Sequence, residues 1–272
     1  MNKEKTIDLI NKYEDEDNPI IALQICDQYL TEHPADPAIT DKKQKLEQIL
    51  AHLKNYDAYK KTYEKSASLM TFWYDKEIEK RERFQWAVKQ LQSKKIRKVL
   101  DIGCFRGEIT MALGRLGFEA TGIEISSKNV KFANKLNKNP KIKFIAGFAE
   151  ESDKLVPKNH FEAALLFEIL EHVIDVNTVL DAAEKAIIPG GYILISLPGE
   201  AQSEEAKYHK KIEKNILLRL LTRSRRSFRE HVRCFDEKEI CSIFGQKNNF
   251  SMETIKDSNG RINCYFISYQ TA

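Results

Sequence analysis

The stretch Val99 to Thr110, VLDIGCFRGEIT, most constrains what this chain can fold into: an apolar run ends in an acid and then breaks into a loop bracketed by Gly103 and Gly107. Such a run suits a strand buried on both faces. The glycines suit a loop that a ligand approaches closely, because glycine lacks a Cβ and tolerates φ > 0. Asp101 fixes a negative charge at the strand's carboxyl end. A ligand that fits there is cationic as well as nucleotide-like.

Two nucleotide sites compete for this loop. A dinucleotide site wants G-x-G-x-x-G with a pyrophosphate over a helix N-terminus. This chain offers Gly103, Phe105 and Gly107 behind an acid, and an acid repels a pyrophosphate. It favours instead the α-amino group of S-adenosylmethionine. The next apolar run, ATGIEI from Ala120 to Ile125, carries Glu124. Glu124 stands at about the 20-residue spacing where a carboxylate accepts from both ribose hydroxyls. A dehydrogenase, which needs nicotinamide, is disfavoured by the charge at Asp101.

From about Val99 to the C-terminus the chain resembles the class I S-adenosylmethionine-dependent methyltransferases, and within them the ubiquinone-pathway-like O-methyltransferases that carry an E-x-x-E-H segment. The family's glycine-rich motif corresponds to Asp101, Gly103 and Gly107, and its ribose acid to Glu124. IKFIAGFAEE (Ile142 to Glu151) corresponds to its adenine-closing loop, FEAALLFEILEHV to its fourth strand with the E-x-x-E-H ending, and IIPGGYILISLP to its fifth strand. The resemblance implies S-adenosyl-L-methionine as cofactor, bound by Asp101, Gly103, Cys104, Gly107, Glu124, Ile125, Phe148, Ala149 and Phe167. It also implies an α/β, Rossmann-like, seven-stranded sheet with the last strand antiparallel. Two residues depart from the pattern: Phe105 stands where a small residue is usual, and Phe148 where an aspartate often meets the adenine amino group.

The order of elements fits that fold. Strands near 97–101, 119–124 and 142–146 alternate with helices near 107–116 and 128–137, which argues for a parallel sheet covered on both faces. NFSMETIK and NCYFISYQ, joined by DSNGR with Asn259-Gly260, read as an antiparallel hairpin. Residues 1–66 read as a helical appendage: TIDLINKYE, IIALQICDQYLTEH after Asn18-Pro19, then a run past Pro34 and Pro37 reaching Lys65. The second helix looks like half of a tetratricopeptide pair, but no copy recurs at the ~34-residue period that arrays need. Residues 67–272 then form the methyltransferase domain, with a basic helical insertion at about 200–232. Phe72, Trp73 and Tyr74 are lid candidates, with packing between domains as the plainer reading.

Composition narrows the setting. With 272 residues, 42% hydrophobic and 31% charged, the chain can bury one substantial core plus an appendage. No apolar run approaches the ~18 residues of a membrane span, and MNKEKTIDLI is charged rather than signal-like. Cys26, Cys104, Cys234, Cys241 and Cys264 show no metal or disulfide spacing. A cytoplasmic setting is expected. The net charge of +4 is concentrated between Lys207 and Arg233, a stretch that is either a solvated face or an attractor of anions. The N-terminal helices are candidates for a homodimer or partner contact.

Methyl transfer asks the protein mainly for alignment and exclusion of water. A hydroxyl acceptor also needs a base, and His172, beside the fourth strand, and His231, after the basic insertion, are the candidates. Glu168 is expected to line the methionine end of the cofactor. The favoured reading uses no metal and takes a small or glycan-like, anionic acceptor. An alternative is an RNA 2′-O-methyltransferase, a nucleic-acid partner, with a divalent metal on Glu168, Glu171, His172 and either His209 or His231. Another is a non-catalytic helical adaptor in which Phe105 fills the loop.

Overall fold

β1 (Lys98–Ile102) is buried from Val99 onward, as befits an apolar strand covered on both faces. The computed structural model describes residues 2–15, 19–53, 77–173, 175–199 and 235–272. In it β1 is joined by β2 (Glu119–Glu124), β3 (Ile142–Ala146), β4 (Phe161–Phe167), β5 (Ile187–Pro198), β6 (Asn248–Lys256) and β7 (Ile262–Gln270). The sheet runs β3-β2-β1-β4-β5-β7-β6. β1 to β5 pair in parallel, while β7 lies antiparallel between β5 and β6. This is the α/β, Rossmann-like sheet with an antiparallel last strand that the sequence implies. β1 is flanked by β2 on one side and β4 on the other, so chain order reverses there. In open α/β sheets such a reversal is where ligands bind, beyond the carboxyl ends of the strands.

The chain divides into two compact units. Among the described residues, the first holds 2–15, 19–53 and 171–173, and the second holds 77–170, 175–199 and 235–272.

In the first unit, α1 (Lys3–Asp15), α2 (Pro19–Glu32) and α3 (Pro37–Leu53) bury Ile10, Cys26, Tyr29, Ile39 and Leu46 among themselves. The start of α3 is set by Asp36, whose Oδ1 accepts from the Ala38 N–H at 3.0 Å and the Ile39 N–H at 3.4 Å, leaving fewer bare donors at the helix end. Its other oxygen pairs with Lys3 of α1 at 3.0 Å.

In the second unit, α4 (Glu82–Ser93) buries Phe84, Trp86, Ala87 and Leu91. Trp86 stacks on Phe266 of β7 at 5.0 Å between ring centroids, and its indole N–H donates to Glu253 of β6 at 2.9 Å. The helices α5 (Glu108–Arg115), α6 (Ser127–Leu136), α7 (Ser152–Leu155), α8 (Val176–Ala186) and α9 (Glu237–Phe244) complete the unit. Side-chain caps start three of them: Ser126 before α6, Asp175 before α8 and Asp236 before α9. α5 starts instead from Gly107 in the left-handed region.

The β6–β7 hairpin turns as DSNGR predicts. Asp257 N–H donates to the Arg261 carbonyl at 2.8 Å, the Asp257 carboxylate accepts from the Asn259 and Arg261 amides, and Gly260 takes φ +78°. That is a three-residue reversal with glycine at the left-handed position. The far end of the hairpin is tied to α8: the buried Tyr269 hydroxyl donates to Glu184 Oε1 at 2.7 Å, and Lys247 reaches the same oxygen at 2.8 Å. Burial, then the adjoining carboxylate, pushes the Tyr269 hydroxyl far above its ordinary range. Tyr269→Phe deletes the donor and leaves a partly buried carboxylate acceptor, so it should cost about 1–3 kcal/mol. A urea melt should show a lower midpoint with an unchanged slope.

Candidate active site

The loop between β1 and α5 is shaped by an alternation of backbone handedness. φ is positive at Gly103 (78°), Phe105 (50°) and Gly107 (80°). The amides of Gly103 and Cys104 both donate to the Ile123 carbonyl, at 2.8 and 3.0 Å, and tie the loop to β2. A Cβ at Gly103 would lie 2.6 Å from Ile169 Cδ1, and one at Gly107 would lie 2.5 Å from the Phe144 ring. The glycines are therefore demanded by positive φ, as the sequence suggested, and also by the packing of Ile169 and Phe144 beside them. Phe105 holds a conformation that costs a side-chain-bearing residue roughly 1–2 kcal/mol. It remains half-buried, and the Arg106 guanidinium sits over its ring at 5.8 Å and over the Phe132 ring at 4.5 Å. Cys104 is buried, and burial pushes its thiol well above the ordinary range. It is a protonated filler.

Two carboxylates stand at the carboxyl ends of neighbouring strands. Asp101 is 2% exposed, and its Oδ2 accepts from Thr110 Oγ1 at 2.5 Å, which couples β1 to α5. Glu124 is 3% exposed. Its Oε1 accepts from the Ser126 N–H at 2.9 Å and Asn129 Nδ2 at 3.4 Å, and its Oε2 accepts from the Phe105 N–H at 3.1 Å. A carboxylate offers about four lone-pair sites, so the described residues leave Glu124 one, on Oε2. Burial raises the Asp101 carboxyl to about 6 and the Glu124 carboxyl to about 7, against hydrogen bonds that favour the ionised forms.

The flanking loops add apolar walls. Ile125, half-buried, follows Glu124. Gly147 N–H donates to the Glu124 carbonyl at 3.0 Å, and Phe148 (half-buried) and Ala149 (buried) open a short 3₁₀ turn directly after it. Phe167 is buried, its ring 6.2 Å from that of Trp86.

Glu168, just past β4, takes φ +53°. Its Oε1 accepts from Ser196 Oγ of β5 at 3.0 Å, lies 3.9 Å from the Cys264 thiol of β7, and lies 4.0 Å from the Arg83 guanidinium of α4. Burial pushes the Glu168 carboxyl up, and Arg83 and Ser196 hold it down in part. Glu171 and His172 fall in the first unit, where His172 Nε2 is 3.9 Å from Glu171 Oε1. His209, His231, the basic stretch 207–233 and Phe72, Trp73 and Tyr74 lie outside the described residues.

Sequence reasoning missed Thr110, Asn129, Arg83 and Ser196, the groups that hold the acids. The serine-asparagine spacing in Ser126-Ser127-Lys128-Asn129 was the one readable trace, as a helix start. Arg83 and Ser196 meet Glu168 only through the fold.

The sheet order and the loop after β1 define a nucleotide-binding methyltransferase fold. A solved structure of the N-methyltransferase NodS from Bradyrhizobium japonicum WM9, in complex with S-adenosyl-L-homocysteine, superposes with a TM-score of 0.52 at 18% identity, covering 72% of this chain and 89% of that one. A family model described as a methyltransferase domain matches residues 43–255, and the chain belongs to that family, as a class I S-adenosylmethionine-dependent methyltransferase. A ubiquinone biosynthesis O-methyltransferase from Bordetella avium is 27% identical over 179 residues, 62% of this chain and 73% of that protein. One of the same name from Hydrogenovibrio crunogenus is 30% identical over 111 residues, 40% of this chain and 46% of that protein.

The raised carboxyls carry a pH signature. Both folded values lie above the unfolded references of 3.8 and 4.5, so the stability they contribute is full below about pH 4 and is lost as pH rises through 6 to 7. The stability of Glu124→Gln, which cannot ionise, should therefore fall less than that of the unmodified protein as pH rises from 5 to 8. Thermal melts of the two proteins across that range read the effect.

Proposed function

We propose that this methyltransferase transfers a methyl group to oxygen of a small or glycan-like acceptor. Support for oxygen comes from the sequence relatives named as O-methyltransferases, and the NodS likeness speaks to fold alone. The observation that carries the donor site is the pair of buried acids on adjacent strands, Asp101 and Glu124, bracketing a loop of alternating handedness.

When bound, S-adenosyl-L-methionine supplies a methyl group activated by a sulfonium. The residues fit such a zwitterionic nucleoside. Asp101 at the carboxyl end of β1 meets the α-amino group, and Arg83 beside Glu168 offers the positive charge that a carboxylate needs. Gly103, Cys104 and Gly107 present backbone to the methionine part, and Phe167 lies beneath it. Glu124 takes a ribose hydroxyl, and Ile125, Phe148 and Ala149 enclose adenine by packing. Phe148 thus replaces a polar contact with apolar surface.

Glu168, locked through Oε1, lines the methionine end and keeps Oε2 without a hydrogen-bond partner among the described residues. His172 or His231 takes the acceptor hydroxyl proton. The positive charge between Lys207 and Arg233 favours an anionic acceptor. The N-terminal helices are the proposed surface for a partner or second copy, and a cytoplasmic setting fits the absence, among the described residues, of any helix long and apolar enough to cross a membrane.

Calorimetric titration with S-adenosylmethionine, S-adenosylhomocysteine and NAD tests the donor site: the first two should bind and NAD should not. Binding of NAD alone would restore the dehydrogenase reading, and binding of none would favour the adaptor. Asp101→Asn should weaken S-adenosylhomocysteine by about tenfold, the worth of one charge-assisted hydrogen bond. For the base, release of S-adenosylhomocysteine with a panel of small phenols and hydroxylated aromatic acids is the readout. Alanine at the histidine that serves should cost roughly 10²–10⁴-fold in turnover with donor affinity unchanged, and alanine at the other should not.

A further inference from the structure

Asn129 is out of place by the rules that govern the rest of α6. The helix buries Val130 and Ala133 as its apolar face, yet Asn129 shares that burial at 2% exposure. Asparagine is a poor helix former, and a buried amide is costly unless bonded. The hydrogen bond of its side chain is Nδ2 to Glu124 Oε1 at 3.4 Å, while its backbone N–H goes to the Ser126 cap at 3.4 Å. Ser126 is itself fully buried, and its own N–H donates to the same carboxylate oxygen. Three buried polar residues therefore converge beside the loop after β1, with Phe105 closing the fourth side through its amide.

We infer that Asn129 is a positioning residue: it fixes Glu124 in the orientation that turns its single remaining acceptor lone pair, on Oε2, toward a nucleoside ribose hydroxyl. The inference rests on the donor-site reading proposed above. A glutamate side chain has one more rotatable bond than an aspartate, so at a strand end it needs an additional restraint to hold one direction. Ser126 and Asn129 grip Oε1 from the helix side and Phe105 grips Oε2 from the loop side. A preset acceptor of this kind avoids an ordering cost when ligand binds. The titratable groups facing Glu124 are Asp101 on β1 and Cys104 in the loop.

The test is a double-mutant cycle read by calorimetry with S-adenosylhomocysteine on the full-length protein. Asn129→Ala should weaken binding about tenfold in the native background and have no further effect in a Glu124→Gln background. Equal losses in both backgrounds, or none in either, would overturn the positioning role. Asn129→Asp keeps the shape but puts a second acid against Glu124, so one of the pair should hold a proton to higher pH. The loss of ligand affinity on acidification should then begin about one pH unit higher than in the unmodified protein. A pH profile that coincides with that of the unmodified protein would sink the idea even if the alanine variant failed to fold. If the unmodified protein binds no S-adenosylhomocysteine at all, the donor-site reading falls, and this inference with it.

Discussion

A carboxylate taken out of water survives only where donors converge on it, and Glu124 is that point in this molecule. Its two oxygens bring together the loop after β1, the start of α6 and the end of β2. Each of those elements has its own reason to exist, and this acid, together with the Ile123 carbonyl that accepts from the Gly103 and Cys104 amides, fixes the loop against β2. The same logic recurs on β1, where Asp101 and Thr110 join strand to helix. The two acids on which the proposed donor site rests are therefore also points around which the core closes.

Two of the residues with left-handed backbone stand at the carboxyl ends of adjacent parallel strands. Phe105 and Glu168, two non-glycine residues with left-handed backbone, follow β1 and β4. Those strands are direct neighbours in the sheet, with Ile102 opposite Leu166. Strain of this kind persists only when the surroundings over-determine it. At Phe105 an amide bonded to Glu124 and a guanidinium over the ring do so; at Glu168, Ser196 and Arg83 do so.

Much of the fold was legible because periodicity and punctuation agreed. VLDI, ATGIEI and IKFIA are short, largely apolar runs, and β1, β2 and β3 lie within a residue of where those runs put them. DSNGR marked the hairpin for the same reason, since only the glycine there must turn left-handed. The acids were legible too, as charges at the ends of apolar runs. What holds them was not. Thr110 is nine residues from Asp101, Ser196 is 28 from Glu168, and Arg83 comes from a helix before the sheet begins. Such pairs leave no spacing rule in a linear text. The glycines were read correctly as necessary but for an incomplete reason, because Ile169 and Phe144, which fill the space beside them, are contributed by other strands and loops.

β6 reaches the sheet only through β7, which follows it in sequence yet lies between it and β5. β6 without β7 would have nothing to bond, so it joins the sheet only with its partner. The Cys264 that borders Glu168 comes with β7, so that corner of the site is completed only once the hairpin lies against the five parallel strands, two of which carry Asp101 and Glu124.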